Sequence, residues 1–181
     1  FSSVVPEFDE RAFREALVNA FGHRDYSLLG RVRVLVDDAG LTIANPGGFV
    51  EGINVHNLLT AEPRGRNPCL MDALKRTGLA ERTGRGIDRI FEGALNYGRP
   101  LPDYSRSNRR GVSVLLPRSV PDKAFVELLA EERERSGKSM SLDGLLILDK
   151  LKSERRCGFD VLSGSLDMSD QRLRTVLGQL T

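Results

Sequence analysis

The sequence predicts an α+β fold: helices packed on one face of a mixed sheet, then a small all-α domain. Three observations carry that reading. Residues 31–36 and 112–116 are short β-branched runs of strand length. Residues 9–22, 67–77 and 84–98 repeat apolar side chains every three or four positions, the period of a half-buried helix. Beyond Pro121 only helical patterns remain.

Asp9 is placed to cap the first helix, which should end near Gly22 and bury Ala12, Phe13, Ala16, Leu17, Ala20 and Phe21. Glu15, Asn19 and His23, spaced four apart, project from a second stripe of that helix, so an acid, an amide and an imidazole share one volume. The alternative is a solvated polar face. Residues 31–36 and 41–44, joined by Asp37-Asp38-Ala39-Gly40, make a hairpin with Val32, Val34 and Val36 on one face. The second strand runs into Asn45-Pro46-Gly47-Gly48-Phe49, where proline and two glycines end it and bare backbone amides.

A short helix is expected at 55–59. Asn67-Pro68 starts another, with Leu70, Ala73 and Leu74 on its buried side and a stop at Thr77-Gly78. Thr83-Gly84-Arg85-Gly86 opens the next, carried by Ile87, Ile90, Phe91, Ala94 and Leu95. A basic, turn-rich connector at 100–110 leads to the strand at 112–116. A charged helix at 123–135 and a break at Ser136-Gly137-Lys138-Ser139 precede helices at 142–154, 159–166 and 169–180.

The 181 residues suffice for one domain plus a small appendage, and a net charge of +2 leaves any nucleic-acid binding to a local patch. Cys69 and Cys157 match no zinc or redox spacing, so reduced thiols in a cytoplasmic protein are expected. No run approaches a bilayer span and no secretory leader is visible. The chain opens on Phe1, so it is expected to be part of a longer protein. Without a Gly-x-x-x-x-Gly-Lys-Ser/Thr loop, helicase motor chemistry has no phosphate cradle; without a histidine on a dimerising helix, a sensor kinase is disfavoured.

Glu15-x-x-x-Asn19 on a helix, Asn45-Pro46-Gly47-Gly48 after a strand and Gly84-x-Gly86 before a helix form an ordered set. With REALVNAFGHRDYS, IANPGGFVEGI, RNPCLMDALKRTGLAERTGRGIDRI and SVLLPR, this set resembles the GHKL ATP-binding fold. More closely it resembles the RecG-like helicase C-terminal branch found in transcriptional regulators, over about residues 9–118. The resemblance implies a two-layer α/β sandwich of Bergerat type that binds ATP and magnesium. It implies Asn19 as a magnesium and phosphate ligand and Glu15 as the base that orients water. Gly84 and Gly86 would offer bare amides at a helix N-terminus, and Arg85, with Arg64 and Arg66, positive charge near the outer phosphates. A plain turn between helices explains the same glycines. His23 and Asp25 would touch phosphate or metal, or His23 would simply cap its helix. Gly47 and Gly48 would line the nucleotide loop. In the wider fold an aspartate accepts the adenine amino group; here Asn45 stands there, an uncharged acceptor.

Residues 159–180 have the proportions of a helix-turn-helix, with Val161, Leu162, Leu166, Met168, Leu173, Val176, Leu177 and Leu180 as core. This resembles the winged-helix module that follows such domains, cut before any wing strand. Ser169 would cap a recognition helix whose Gln171, Arg172, Arg174, Thr175 and Gln179 suit phosphate and base-edge contacts. A protein-interaction module would use the same geometry. The expected organisation is therefore 1–118 nucleotide-binding, 119–140 charged helix and linker, and 141–181 DNA-binding, acting as a homodimer. The function expected is a transcriptional regulator with an ATP-sensing domain. The alternatives are a slow magnesium-dependent ATPase or a scaffold for protein contacts.

Overall fold

The computed structural model describes residues 7–80, 84–154 and 156–180. Thr83, expected to help open a helix, lies outside the described residues. The chain divides into two compact units, one up to Asp122 and one from Lys123. The charged helix thus groups with the C-terminal helices.

In the first unit, helix α1 (Glu10–Gly22) begins where Asp9 Oδ1 accepts the Ala12 amide at 2.7 Å. Strands β1 (Arg33–Asp37), β2 (Gly40–Pro46) and β3 (Gly111–Pro117) form a three-stranded sheet in that order, antiparallel throughout. The expectation of a mixed sheet is corrected here. The direction in which β3 returns depends on the path through the helices, which strand periodicity does not encode. Asp37 closes the hairpin, its Oδ1 accepting from Ala39 N at 2.9 Å and Gly40 N at 3.2 Å.

Helices α2 (Pro68–Arg76) and α3 (Gly86–Asn96) join α1 in the helical layer. Leu41 and Ile43 of β2 and Val114 and Leu116 of β3 face it and are buried with Ala12, Ala16, Ala20, Ile90, Phe91 and Leu95. Phe21, expected in that core, is 44% exposed, and Val18 is buried instead. β1 lies wholly exposed, so Val34 and Val36 of the expected valine face stand open, while Val32, just ahead of the strand, is half-buried. Helix α2 buries no residue fully, and Ala73 is exposed. Asn67 does not cap α2. Its Nδ2 donates to Gly22 O at 2.9 Å and Arg24 O at 2.8 Å, satisfying carbonyls at the end of α1.

No helix forms at 55–59. Asn57 Oδ1 accepts from Asn54 N and Asn54 Oδ1 from His56 N, each at 2.8 Å, while Asn57 Nδ2 reaches Gly52 O at 2.9 Å. Asparagine side chains there bind the backbone and hold turns in place of helix.

The second unit holds α4 (Lys123–Ser136), α5 (Leu142–Glu154), α6 (Phe159–Leu166) and α7 (Asp170–Leu180). Leu145, Ile147 and Leu173 are fully enclosed, with Leu162, Met168 and Val176 around them; Val161, expected inside, is 53% exposed. α6 ends on Asp167 in the left-handed conformation at φ 50°, and Ser169 Oγ accepts from Arg172 N at 3.3 Å to start α7. Among the described residues no helix is long and apolar enough to cross a membrane.

Candidate nucleotide site

Because Glu15, Asn19 and His23 recur every four residues on α1, they open together into a cavity of about 510 Å³ beneath the helical layer. That volume lies within the range of small-molecule and cofactor sites. Asn45 and Gly48 approach from the end of β2, Gly84 and Gly86 from the start of α3, and Arg64 and Lys75 from between them.

At one side of the cavity α1 and α3 approach closely. A Cβ added at Gly86 would stand 2.6 Å from Glu15 Oε2 and 3.6 Å from Asn19 Nδ2, so any side chain there would displace the carboxylate. Residue 86 thus brings the head of α3, whose first-turn amides have no intrahelical partner, against an acid and an amide from α1. Glu15 is only 5% exposed. Asn19 is half-buried, and its side chain hydrogen-bonds to no described residue. Gly84 takes φ +79° with Pro63 packed over it, so a glycine is required in this turn.

Asn45 is buried, and Nδ2 donates to Pro46 O at 3.0 Å and Gly47 O at 3.4 Å. Two carbonyls on the same atom settle which way the amide faces, since a flipped group would set oxygen against oxygen. Oδ1 is therefore the end of the amide left without these backbone partners.

The glycine loop is tied down from beneath. Asp25 Oδ2 pairs with Arg66 Nη1 at 3.0 Å, Arg66 Nη2 donates to Gly48 O at 2.8 Å, and Asp25 N donates to Pro46 O at 2.8 Å. Hydrogen bonds from Ser27, and then the charges of Arg66 and Arg24, hold the Asp25 carboxyl below its usual range. Asp25 and Arg66, expected near phosphate, brace the loop instead. Gly47 lies outside the cavity lining, and its amide is given to Arg110 O at 2.9 Å, so the expectation that it bares an amide is corrected. Its φ is +90°, and a Cβ would strike Asp25 Cβ at 2.6 Å: glycine is needed for packing. Arg85 also lies outside the lining, paired along its own helix with Asp88 at 3.2 Å and Glu92 at 3.8 Å.

His23 ends α1, its backbone N–H donating to Asn19 O at 2.9 Å. Burial first, and then Arg66, push its imidazole below the ordinary value, so it is neutral near pH 7. Folding thus disfavours the protonated form. The stabilisation is complete above the unfolded value of about 6.5 and is lost as pH falls below it. The melting temperature should accordingly drop between pH 7.5 and 5.5, and His23→Gln should flatten that part of the profile. An unchanged slope in the variant would assign the drop to other groups.

Sequence periodicity misses the apolar wall. Tyr104 is buried, its ring stacked on Phe91 at 6.4 Å and tilted against Phe49 at 6.3 Å, and burial raises its phenol well above the usual value. Phe49, Ile53, Leu58 and Leu59 complete it. These residues sit in irregular segments without a period. The only sequence signal is aromatic and aliphatic residues in loops otherwise polar.

The lining sets Glu15, Asp72 and Asp88 against Arg64 and Lys75. A polyphosphate would therefore enter with a counter-cation. Oxygen donors at residues 15 and 19 suit a hard divalent ion, and the backbone N–H groups of the first turn of α3, which Gly84 and Gly86 bring to the cavity wall, suit a phosphate, so the residues fit both groups. Among the described residues no cluster of three or more His, Cys, Asp or Glu forms a metal site of its own.

In the second unit, Arg172 is clamped by Asp143, with Nε to Oδ2 at 2.6 Å and Nη2 to Oδ1 at 2.7 Å. Arg174 lies over the Phe159 ring at 4.6 Å, and Thr175 Oγ1 donates back to Gln171 O. Gln171 and Gln179 are exposed on the same helix.

No curated protein matches the chain. Among solved structures it is similar to the DIP2311 protein from Corynebacterium diphtheriae, with TM-score 0.81 and 26% identity over 98% of this chain. The chain spans 37% of that protein's length. Residues 30–116 match the family described as "Putative ATP-dependent DNA helicase recG C-terminal", a stretch that begins after α1 and its Glu15 and Asn19. Over residues 30–116 the chain is therefore similar to the recG C-terminal ATPase-like family.

Proposed function

We propose that the first unit binds a nucleoside triphosphate together with magnesium, and that the chain is the nucleotide-sensing and DNA-binding part of a transcriptional regulator. The observation that carries the nucleotide reading is the meeting of Glu15, Asn19 and Gly86 in a cavity that is also lined by Tyr104, Phe49 and aliphatic side chains. In this reading Asn19 and Glu15 hold the cation and the α3 amides hold phosphate. Asn45 Oδ1 accepts from the exocyclic amino group of the base, and the wall of Tyr104 and Phe49 excludes water from it. When bound, the cation would neutralise phosphate charge. Calorimetric titration with ATP, with and without magnesium, tests this directly: heat of binding that requires magnesium supports it, and no heat at any concentration rejects it.

Hydrolysis is the second reading, favoured by the burial of Glu15 beside Gly86. A carboxylate held there could orient water and take its proton. Glu15→Gln should then lower any magnesium-dependent turnover by about 10²-fold or more while binding persists. Unchanged turnover would remove Glu15 as the base.

DNA binding rests on the polar residues Gln171, Arg172, Arg174, Thr175 and Gln179 of α7 and on a homodimer reading paired half-sites. Because Asp143 holds Arg172, Arg174 and the glutamines would carry the first contacts. Arg174→Ala should weaken binding to duplex DNA several-fold and reduce its salt dependence. Affinity indifferent both to salt and to this substitution would instead favour a protein-contact module.

A further inference from the structure

We propose that two copies of the chain pair through β1, antiparallel and centred on Leu35, into one six-stranded sheet. β1 is an edge strand, and all five of its residues are exposed. Val34, Leu35 and Val36 are 47%, 56% and 57% exposed, which makes this edge an apolar template for another strand.

The backbone parity allows the pairing. Ala39 O accepts from Arg118 N and Gly47 N donates to Arg110 O, so odd-numbered positions along β2 face β3. Even-numbered positions face β1, and through the register Leu35↔Thr42 and Arg33↔Ala44 it is residues 33, 35 and 37 of β1 that bond inward. The N–H and C=O groups of Val34 and Val36 therefore point outward. In an antiparallel pair centred on Leu35, Val34 of one copy opposes Val36 of the other, so outward groups meet outward groups.

The side chains choose the same register. Arg33, Leu35 and Asp37 share the face away from Ile43 and Leu41, while Val34 and Val36 share the helix-bearing face. The two-fold axis would then pass between the Leu35 side chains and set Arg33 of each copy against Asp37 of the other. Arg33 forms no ion pair with a described residue, and Asp37 uses only Oδ1 in its turn. A parallel pairing would oppose like charges. Self-complementarity of this kind is what an isologous interface requires. Five residues per strand make a small interface, so the dimer should dissociate on dilution.

Sedimentation velocity over a concentration series, on the full chain, is expected to show a monomer–dimer equilibrium. Arg33→Asp alone, and Asp37→Lys alone, should each weaken it about tenfold, and an equimolar mixture of the two should recover it, because opposite charges again meet. Circular dichroism checks the fold of Asp37→Lys, whose parent residue serves the turn; the Arg33→Asp arm stands without it. In a C69S/C157S background, Leu35→Cys should cross-link under oxidation, since non-hydrogen-bonded partners sit about 4.5 Å apart at Cα, and Val34→Cys should not. A monomer at every concentration overturns the proposal. So does a dimer that ignores Arg33→Asp and fails to cross-link through residue 35, whether or not nucleotide binds.

Discussion

Asn19→Ala abolishes the rise in melting temperature that ATP and magnesium produce in the unsubstituted chain. A ligand at a hundred times its dissociation constant stabilises by about 2.7 kcal/mol, which for a chain of this size is roughly a 5–10 °C shift. The substitution isolates binding from folding, because the Asn19 side chain hydrogen-bonds to no described residue and is only half-buried. Without ligand the variant should therefore melt within about 1 °C of its parent. Arg85→Ala is the contrasting substitution: Arg85 is not part of the cavity lining and its guanidinium pairs with Asp88 and Glu92, so the ligand-dependent shift should survive. A full shift in Asn19→Ala, measured by differential scanning fluorimetry, would place the nucleotide elsewhere, and no shift in the unsubstituted chain would remove the site.

The contrast between Asn19 and Arg85 also marks what the sequence can and cannot disclose. Asn19 was legible because helical spacing is local: four residues from Glu15 puts it on the same face whatever the helix packs against. Arg85 sits one residue before α3, and its direction depends on which acid lies nearest once the helix has formed; Asp88, three residues on, wins. The turn at Asp37–Gly40 was similarly legible from its own residues, whereas the antiparallel return of β3 was not, since it is fixed by α2 and α3 rather than by strand composition. Gly47 shows a subtler limit. From sequence the glycine reads as ending the strand and baring an amide, whereas the amide is bonded to Arg110 O and the residue is held to glycine by its φ of +90° and by the approach of Asp25 from a segment two dozen residues earlier. The apolar wall is the extreme case, for Tyr104 meets Phe91 and Phe49 only after the whole first unit has closed. Local chemistry thus puts the acid and the amide on one face, while the shape of the volume they face emerges from tertiary packing.

That dependence on packing gives the second large effect. Gly93→Ala should destabilise the first unit by about 1–3 kcal/mol and weaken nucleotide binding as well. Gly93 is buried where α3 crosses α1, and a Cβ there would come within 2.7 Å of Ala12 Cβ and 2.9 Å of Asp9 Cβ. Neither neighbour has a flexible side chain that could swing aside, so the helices must separate or shift along one another. Asp9 also caps α1, its Oδ1 standing 3.0 Å from the added atom, and displacement would strain the bond to Ala12 N. The same helix pair sets the distance between Glu15 and Gly86 two turns away. A shift of a few tenths of an ångström at residue 93 therefore reaches the cation and phosphate positions without touching either. Chemical denaturation gives the stability loss and calorimetry the affinity. A variant that loses stability but binds ATP and magnesium unchanged would show that the helix crossing does not set the geometry of the site. A variant unchanged in both would show that the α1–α3 contact is looser than these distances require.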